Sequence, residues 1–203
     1  FSDFSGFAVA DTTLANIPES ETTGFEIDLH WLPTDEITLQ AGVAYLDSEV
    51  TKAPTTENLR GINTDPSVND LANENGFGFV DALAAPLNNG AVLSQAPEWS
   101  YNALVVYDMP LENDKYLKFQ TSYSWSGSQF AQLADDNAKY GSISSLNASV
   151  TLSSDEDAWS VSLWARNLLD NDAETYSFTG FAGRTVYRQQ PGTFGLTVKF
   201  DYY

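Results

Sequence analysis

The stretch "GTFGLTVKFDYY", residues 192–203, carries an apolar or aromatic side chain at every second position: Phe194, Leu196, Val198, Phe200 and Tyr202. Gly195, Thr197, Lys199 and Asp201 fill the places between. A period of two marks a strand with one greasy and one polar face. In a chain of formal net charge −19, such a row needs an apolar surface to meet.

The same alternation recurs upstream. "GFEIDLHW" sets Phe25, Ile27, Leu29 and Trp31 against Glu26, Asp28 and His30, and "ITLQAGVAY" aligns Ile37, Leu39, Ala41, Val43 and Tyr45. "WSYNALVVYD" aligns Trp99, Tyr101, Ala103, Val105 and Tyr107, and "LKFQTSYSW" aligns Leu117, Phe119, Tyr123 and Trp125 against Lys118, Gln120 and Ser122. "LNASVTL" and "WSVSLWAR" continue the pattern, the latter with Trp159, Val161 and Leu163 opposite Trp164 and Arg166. Within these strands Glu26, Asp28, Asp108, Lys118, Arg166, Lys199 and Asp201 all have the parity opposite to the apolar row.

Connections alternate in length. Short polar turns follow "HWLPTDEI", "YDMPLENDKY" and "LSSDEDAW", with the Pro, Asp, Glu and Asn residues that suit tight reversals. Longer connections are expected near residues 10–22, 48–96, 126–142 and 169–190. Short turns at one rim and long loops at the other describe an antiparallel up-and-down barrel of the outer-membrane kind. With residues 1–9 as a first strand there are about eight strands, as in the smallest such barrels. The apolar row begins or ends on Trp31, Tyr45, Trp99, Tyr107, Trp125, Trp159 and Tyr202, and amphipathic rings at strand ends suit two membrane–water interfaces. The expected fold class is therefore all-β, a transmembrane barrel, with the charged row lining the lumen. An ordinary β-core with aromatic ends is the alternative, because aromatics favour strands in any case.

Composition narrows the function. No apolar run reaches the roughly 18–20 residues of a spanning helix. Nine Lys and Arg against 28 Asp and Glu leave no basic footprint for nucleic acid. Cysteine is absent, which excludes disulfides, thiolate metal sites and cysteine nucleophiles. The acidity reads as a solvated surface, with a cation-attracting mouth as the sharper alternative.

Candidate chemistry is sparse. His30 is the single histidine and its parity puts it inside the barrel; catalysis would need a nucleophile and an orienting group beside it. "DNDAE" at 170–174 has alternating carboxylates but neither the glycine nor the bidentate glutamate of a calcium loop. "GFGF" and "GFAGR" lack phosphate-loop spacing. No catalytic residue, metal site or cofactor is expected. Arg166 points inward and is expected to pair with lumenal carboxylates such as Glu26 or Asp28, with ligand contact as the sharper reading. The long loops offer Arg60, Phe77, Tyr176, Phe178, Phe181, Arg184 and Arg188, aromatics and guanidinium groups that together suit a flat anionic ligand, or simply one another.

Four stretches resemble strands of TonB-dependent outer-membrane receptors: "ESETTGFEIDLHWLPTDEITLQAGVAYLDSEV", "QAPEWSYNALVVYDMPL", "WSVSLWARNLLDND" and "PGTFGLTVKFDYY", in that family's order. "RNLLD" followed by a terminal aromatic strand is the most specific part, and the segment 49–96 matches least. The resemblance implies a barrel of about 22 strands around a plug, of which residues 1–203 would be a C-terminal segment without the plug, and contact with that plug is then an alternative to carboxylate pairing for Arg166. It implies uptake of a ferric siderophore or similar large nutrient, driven by the TonB–ExbB–ExbD system acting through that plug. It also implies that the strand Phe194, Leu196, Val198, Phe200, Tyr202 is read by the barrel-assembly machinery, with Tyr203 one residue beyond the register. A self-contained small barrel with a structural or adhesive role, and a soluble secreted carbohydrate-binding β-sandwich, are the alternative readings.

Overall fold

The computed structural model describes residues 17–53, 89–133, 138–154, 158–180 and 183–200, with backbone only at 178–180 and 183. The expected strand at 1–9, most of the second long loop with Arg60 and Phe77, and Phe181, Tyr202 and Tyr203 lie outside these residues.

The described residues form strands and no helix: β1 (Glu19–Trp31), β2 (Ile37–Lys52), β3 (Trp99–Leu111), β4 (Lys115–Ser126), β5 (Gln129–Phe130), β6 (Lys139–Tyr140), β7 (Ile143–Ser154), β8 (Trp159–Arg166), β9 (Glu174–Gly180), β10 (Gly183–Arg188) and β11 (Thr193–Phe200). Seven of them make one sheet in the order β1-β2-β3-β4-β7-β8-β11, each antiparallel to its neighbour. β5 pairs with β6 and β9 with β10 in two small ribbons set in the long connections.

Register confirms the two faces. Phe25 lies opposite Tyr45, Tyr45 opposite Trp99, Tyr101 opposite Trp125 and Phe200 opposite Trp159. Glu26, Asp28, His30, Lys118, Arg166 and Lys199 all fall on the other face. The apolar face is open rather than packed: Phe194 is 89% exposed and Leu163 61%. Among the described residues no second sheet covers it, so the arrangement is not that of a sandwich, whose inner faces interdigitate.

One hydrogen-bonded row shows how the strands are staggered. It runs from Trp31, the last residue of β1, through Leu39, Val105, Thr121, Ala148 and Ala165 to Phe194, the second residue of β11. A row that slides from one rim to the other is what strands tilted against a barrel axis produce.

Strands also outrun their sequence signal. β1 begins within the expected first loop, and β2 continues to Lys52, where a loop was expected. At 13 and 16 residues both exceed the roughly 9–11 needed to span a bilayer. Beyond that length "ESET" is exposed throughout, and in "DSEVTK" the two buried positions are Ser48 and Val50, one polar and one apolar, so both stretches lose the alternation that betrays a strand. There β2 takes backbone hydrogen bonds from the other side as well: Val50 N–H donates to the Ala91 carbonyl at 2.9 Å, and Gly90 N–H donates to the Val50 carbonyl at 2.8 Å. The hairpin β9–β10 likewise occupies what was expected to be irregular loop.

The turns carry the residues their backbone needs. In the β3–β4 connection Asn113 and Asp114 have φ of 60° and 53°, a left-handed region that Asn and Asp tolerate better than most. Packing at the long-loop rim is a small cluster of Ala131, Ala138 and Tyr140, with Ile143 and Tyr176 against it.

Candidate functional site

The polar face of the sheet is a lattice of short hydroxyl and amide side chains. Thr151 and Ser162 share a hydrogen bond of 2.8 Å across β7 and β8. Lys118 and Asp108, directly opposite on β4 and β3, form an ion pair at 3.3 Å. His30 sits opposite Gln40, in a row that leads through Leu104 to Ser122 and Asn147, a setting of amides and hydroxyls rather than a nucleophile–base pair.

Trp164 lies flat on this face. Its indole N–H donates to Thr197 Oγ1 at 3.0 Å, and its ring covers Gly195, where a Cβ would collide with the indole carbons. The Arg166 guanidinium stands 5.2 Å from the Trp164 ring centroid, a cation–π distance. Glu26 and Asp28, named as example partners for Arg166, are on β1, five strands away from β8 in the sheet, and do not meet it there. A depression of about 410 Å³ opens here between β4 and β11, lined by Gln120, Asn147, Ser149, Trp164 and Arg166 among others.

At the long-loop rim the β9–β10 hairpin carries four of the expected ligand-binding residues, Tyr176, Phe178, Arg184 and Arg188, and its two arginines are paired internally. Arg184 pairs with Glu174 and also donates to Ser177 Oγ at 3.3 Å. Arg188 donates to Asp172 Oδ2 at 3.1 Å and reaches Glu174 at 3.8 Å. Tyr176 stands 6.1 Å from Tyr187 and packs on the Ala131–Tyr140 cluster. Phe178 belongs to β9 by its backbone. Ser177, fully buried, donates to the Ala138 carbonyl at 3.4 Å, so this hairpin is anchored to the β5–β6 ribbon. Burial pushes the Tyr140 phenol up, and Tyr176 adds to the shift.

The carboxylates of "DNDAE" are thus committed to arginines and backbone. Asp170 Oδ1 accepts from the Gly192 N–H at 2.8 Å, and no metal-holding cluster occurs among the described residues. Hydrogen bonds from Arg184 hold the Glu174 carboxyl below its ordinary range, with the charges of Arg184 and Arg188 adding to the effect. A depressed carboxylate contributes stability above its unfolded pKa and loses it as pH falls through the lowered value. Trypsin cleavage after Arg184 and Arg188 in the folded protein is therefore expected to stay slow at neutral pH. Cleavage within the hairpin by a protease that works in acid is expected to quicken as pH falls below the usual carboxylate range, and Glu174→Gln is expected to speed trypsin cleavage already at neutral pH.

A second device, which sequence reasoning passed over, clamps the base of this hairpin. Asn167, 5% exposed, has φ of 48°. Its Nδ2 donates to the carbonyls of Asn171 at 2.9 Å and Gln190 at 2.8 Å, and its Oδ1 accepts from the Asn171 N–H at 3.2 Å. Its own N–H donates to Asn147 Oδ1 on β7 at 3.1 Å. Asn171 Nδ2 reaches Ser144 Oγ at 2.8 Å, and Gln189 Nε2 the Ser144 carbonyl at 3.0 Å. The available signal was the recurrence of asparagine around "RNLLDND"; the partners, some 20 residues away in sequence, were not visible.

On the apolar face the expected interfacial rings cluster. Tyr45 and Trp99 lie 4.8 Å apart with Phe25 beside them; Tyr101 stacks on Trp125 at 4.6 Å, and Tyr107 on Phe119 at 6.2 Å.

Comparison with known proteins agrees with this architecture. Residues 1–168 match the family model described as TonB dependent receptor-like, beta-barrel. The ferric yersiniabactin uptake receptor FyuA from Yersinia pestis superposes with a TM-score of 0.66 at 14% identity, over 91% of this chain and 24% of its own. BauA, the ferric preacinetobactin receptor from Acinetobacter baumannii, gives 0.58 at 16% identity, over 88% of this chain and 22% of its own. The chain thus spans about a quarter of the length of these solved structures. These likenesses share the fold, and the family match covers most of the chain: the protein belongs to the TonB-dependent receptors, as part of their outer-membrane β-barrel.

Proposed function

We propose that this chain is the C-terminal segment of the barrel of an outer-membrane receptor that takes up a ferric siderophore or a similarly large nutrient. The observation that carries the reading is the segregation of one sheet into an exposed apolar face with aromatic ends and a polar face of hydroxyls, amides and paired charges. The apolar face meets lipid. The polar face, with Glu26, Asp28, His30, Lys118, Arg166 and Lys199, lines the lumen and the surface of a plug encoded outside these residues. Energy comes from the TonB–ExbB–ExbD system through that plug, and no covalent chemistry is involved, so the protein is not an enzyme.

The rim hairpin with Tyr176, Arg184 and Arg188 contributes to the mouth of the receptor. Arg60, Phe77, Phe178 and Phe181 belong to the same long loops and are assigned there by sequence. The closing strand from Phe194 is the one the assembly machinery reads. Deleting the gene is expected to abolish energy-dependent uptake of one ferric siderophore by iron-starved cells, and the intact gene to restore it. Unchanged uptake across a siderophore panel, with loss of uptake of another large nutrient, would keep the receptor and discard the siderophore.

A further inference from the structure

We propose that a crevice at the long-loop rim, distinct from the lumenal face, binds a neutral hexose unit. The proposal goes beyond the uptake reading and does not depend on which nutrient is carried. The crevice exists because β2 runs on to Lys52 after its last pairing with β3, Tyr45 opposite Trp99, while β4 ends at Ser126 and gives way to β5 and β6. Between the raised end of β2 and the β5–β6 ribbon lies a cavity of about 520 Å³. That volume is in the range of small-molecule sites, roughly 300–1,000 Å³.

Its lining combines two aromatic planes with separated polar groups. Trp99 and Trp125 supply the planes, and each is held in place by a neighbour: Tyr45 lies 4.8 Å from Trp99, and Tyr101 stacks on Trp125 at 4.6 Å, nearly parallel at 14°. Rings fixed in this way present contact area with little further ordering cost. Around them stand Asp47, Glu98 and Ser48, and Lys139, whose ammonium is 5.2 Å from the Phe130 centroid. Ser48 is 4% exposed and closes the crevice beside Asp47.

The mixture selects the ligand class. A purely apolar occupant would desolvate Asp47, Glu98 and Lys139 without replacing their hydrogen bonds. An anionic sugar phosphate would meet two carboxylates for one ammonium. A pyranose fits both demands: its C–H faces stack on indole, and its ring hydroxyls donate to carboxylates and accept from lysine and serine. Such a unit could arrive as a soluble oligosaccharide or as the headgroup of an outer-leaflet glycolipid, because the Trp99–Trp125 floor continues into the apolar row.

The test is saturation-transfer NMR on the full-length receptor in sugar-free lauryldimethylamine oxide micelles. The probes are maltotriose, cellotriose, dodecyl maltoside and glucose 6-phosphate at millimolar concentration. Transfer to pyranose C–H protons from at least one neutral probe is expected, with at least fivefold weaker apparent affinity in Glu98→Gln and in Lys139→Met, and none of that loss in Trp159→Phe. Transfer from the free trisaccharides assigns a soluble glycan; transfer from dodecyl maltoside alone assigns a glycolipid. No transfer from any neutral probe, transfer unaffected by both substitutions, or a preference for glucose 6-phosphate would overturn the proposal. Siderophore uptake is measured separately, so failure here leaves the transport reading untouched.

Discussion

Leu163→Arg is expected to destabilise the membrane-folded protein by about 2–4 kcal/mol, the cost of a cationic side chain on the lipid face near the bilayer midplane. Leu163 lies in the middle of β8, is 61% exposed, and is flanked across the ladder by Val150 and Leu196. Nothing in the sheet offers the guanidinium a partner there, and its neighbours along the apolar row are Val161 and Ala165. Gln40→Arg introduces the same cation on the polar face, on β2 opposite His30, and is expected to stay within about 0.5 kcal/mol, as an ordinary surface change does. Urea titration of the full receptor in lipid vesicles measures both. Equal tolerance of the two substitutions would reverse or abolish the assignment of faces.

The second large effect is expected at Asn167→Ala. The substitution removes three side-chain hydrogen bonds and leaves two carbonyls, those of Asn171 and Gln190, without their donor. It also places a Cβ-bearing residue with no compensating side-chain bond at φ of 48°. At about 1 kcal/mol for each bond, and more for a buried group left unmet, the loss is about 3 kcal/mol. The effect is local opening: the base of the β9–β10 hairpin is held by this clamp, and the Ser144 contacts of Asn171 and Gln189, the Ser177 anchor and the packing of Tyr176 would remain. Amide exchange of residues 174–188 should accelerate by about two orders of magnitude, the equivalent of that energy, while β2–β4 amides keep their protection. Asn167→Asp retains the acceptor and loses both donors, and should fall between the two. Uniform exchange across all strands in the alanine variant would show that the clamp does not act locally.

What the sequence disclosed follows from the solvent each segment meets. Inside the bilayer a strand has lipid on one side and a wet lumen on the other, so polarity is forced to alternate; Phe25 to Trp31 and Phe119 to Trp125 display this openly. Past the bilayer no lipid demands an apolar row, and the buried positions of the β2 extension are Ser48 and Val50, one polar and one apolar. "DSEVTK" continues β2 for a physical reason the pattern cannot encode: backbone hydrogen bonds to Gly90 and Ala91. The rim arginines illustrate the limit for site reading. Arg184 and Arg188 were legible as cations near aromatics, but their neutralisation by Glu174 and Asp172 depends on the hairpin register, Tyr187 opposite Tyr176 and Arg188 opposite Glu174. That Arg166 stands far from Glu26 and Asp28 was illegible for the converse reason, because the distance between strands across a sheet is not written in either strand.

The staggered row from Trp31 to Phe194 has a consequence for how the wall should be mapped. Hydrogen-bonded partners along the ladder are not at equal height: each step is displaced along the tilted strands, so a contour of constant depth crosses the pairing obliquely. One row of partners leaves the water on one side of the membrane at an indole and re-enters it on the other at a phenyl ring. A mutational scan sorted by pairing would blend surface and midplane positions, whereas one sorted by distance from each strand's own short turn would resolve them.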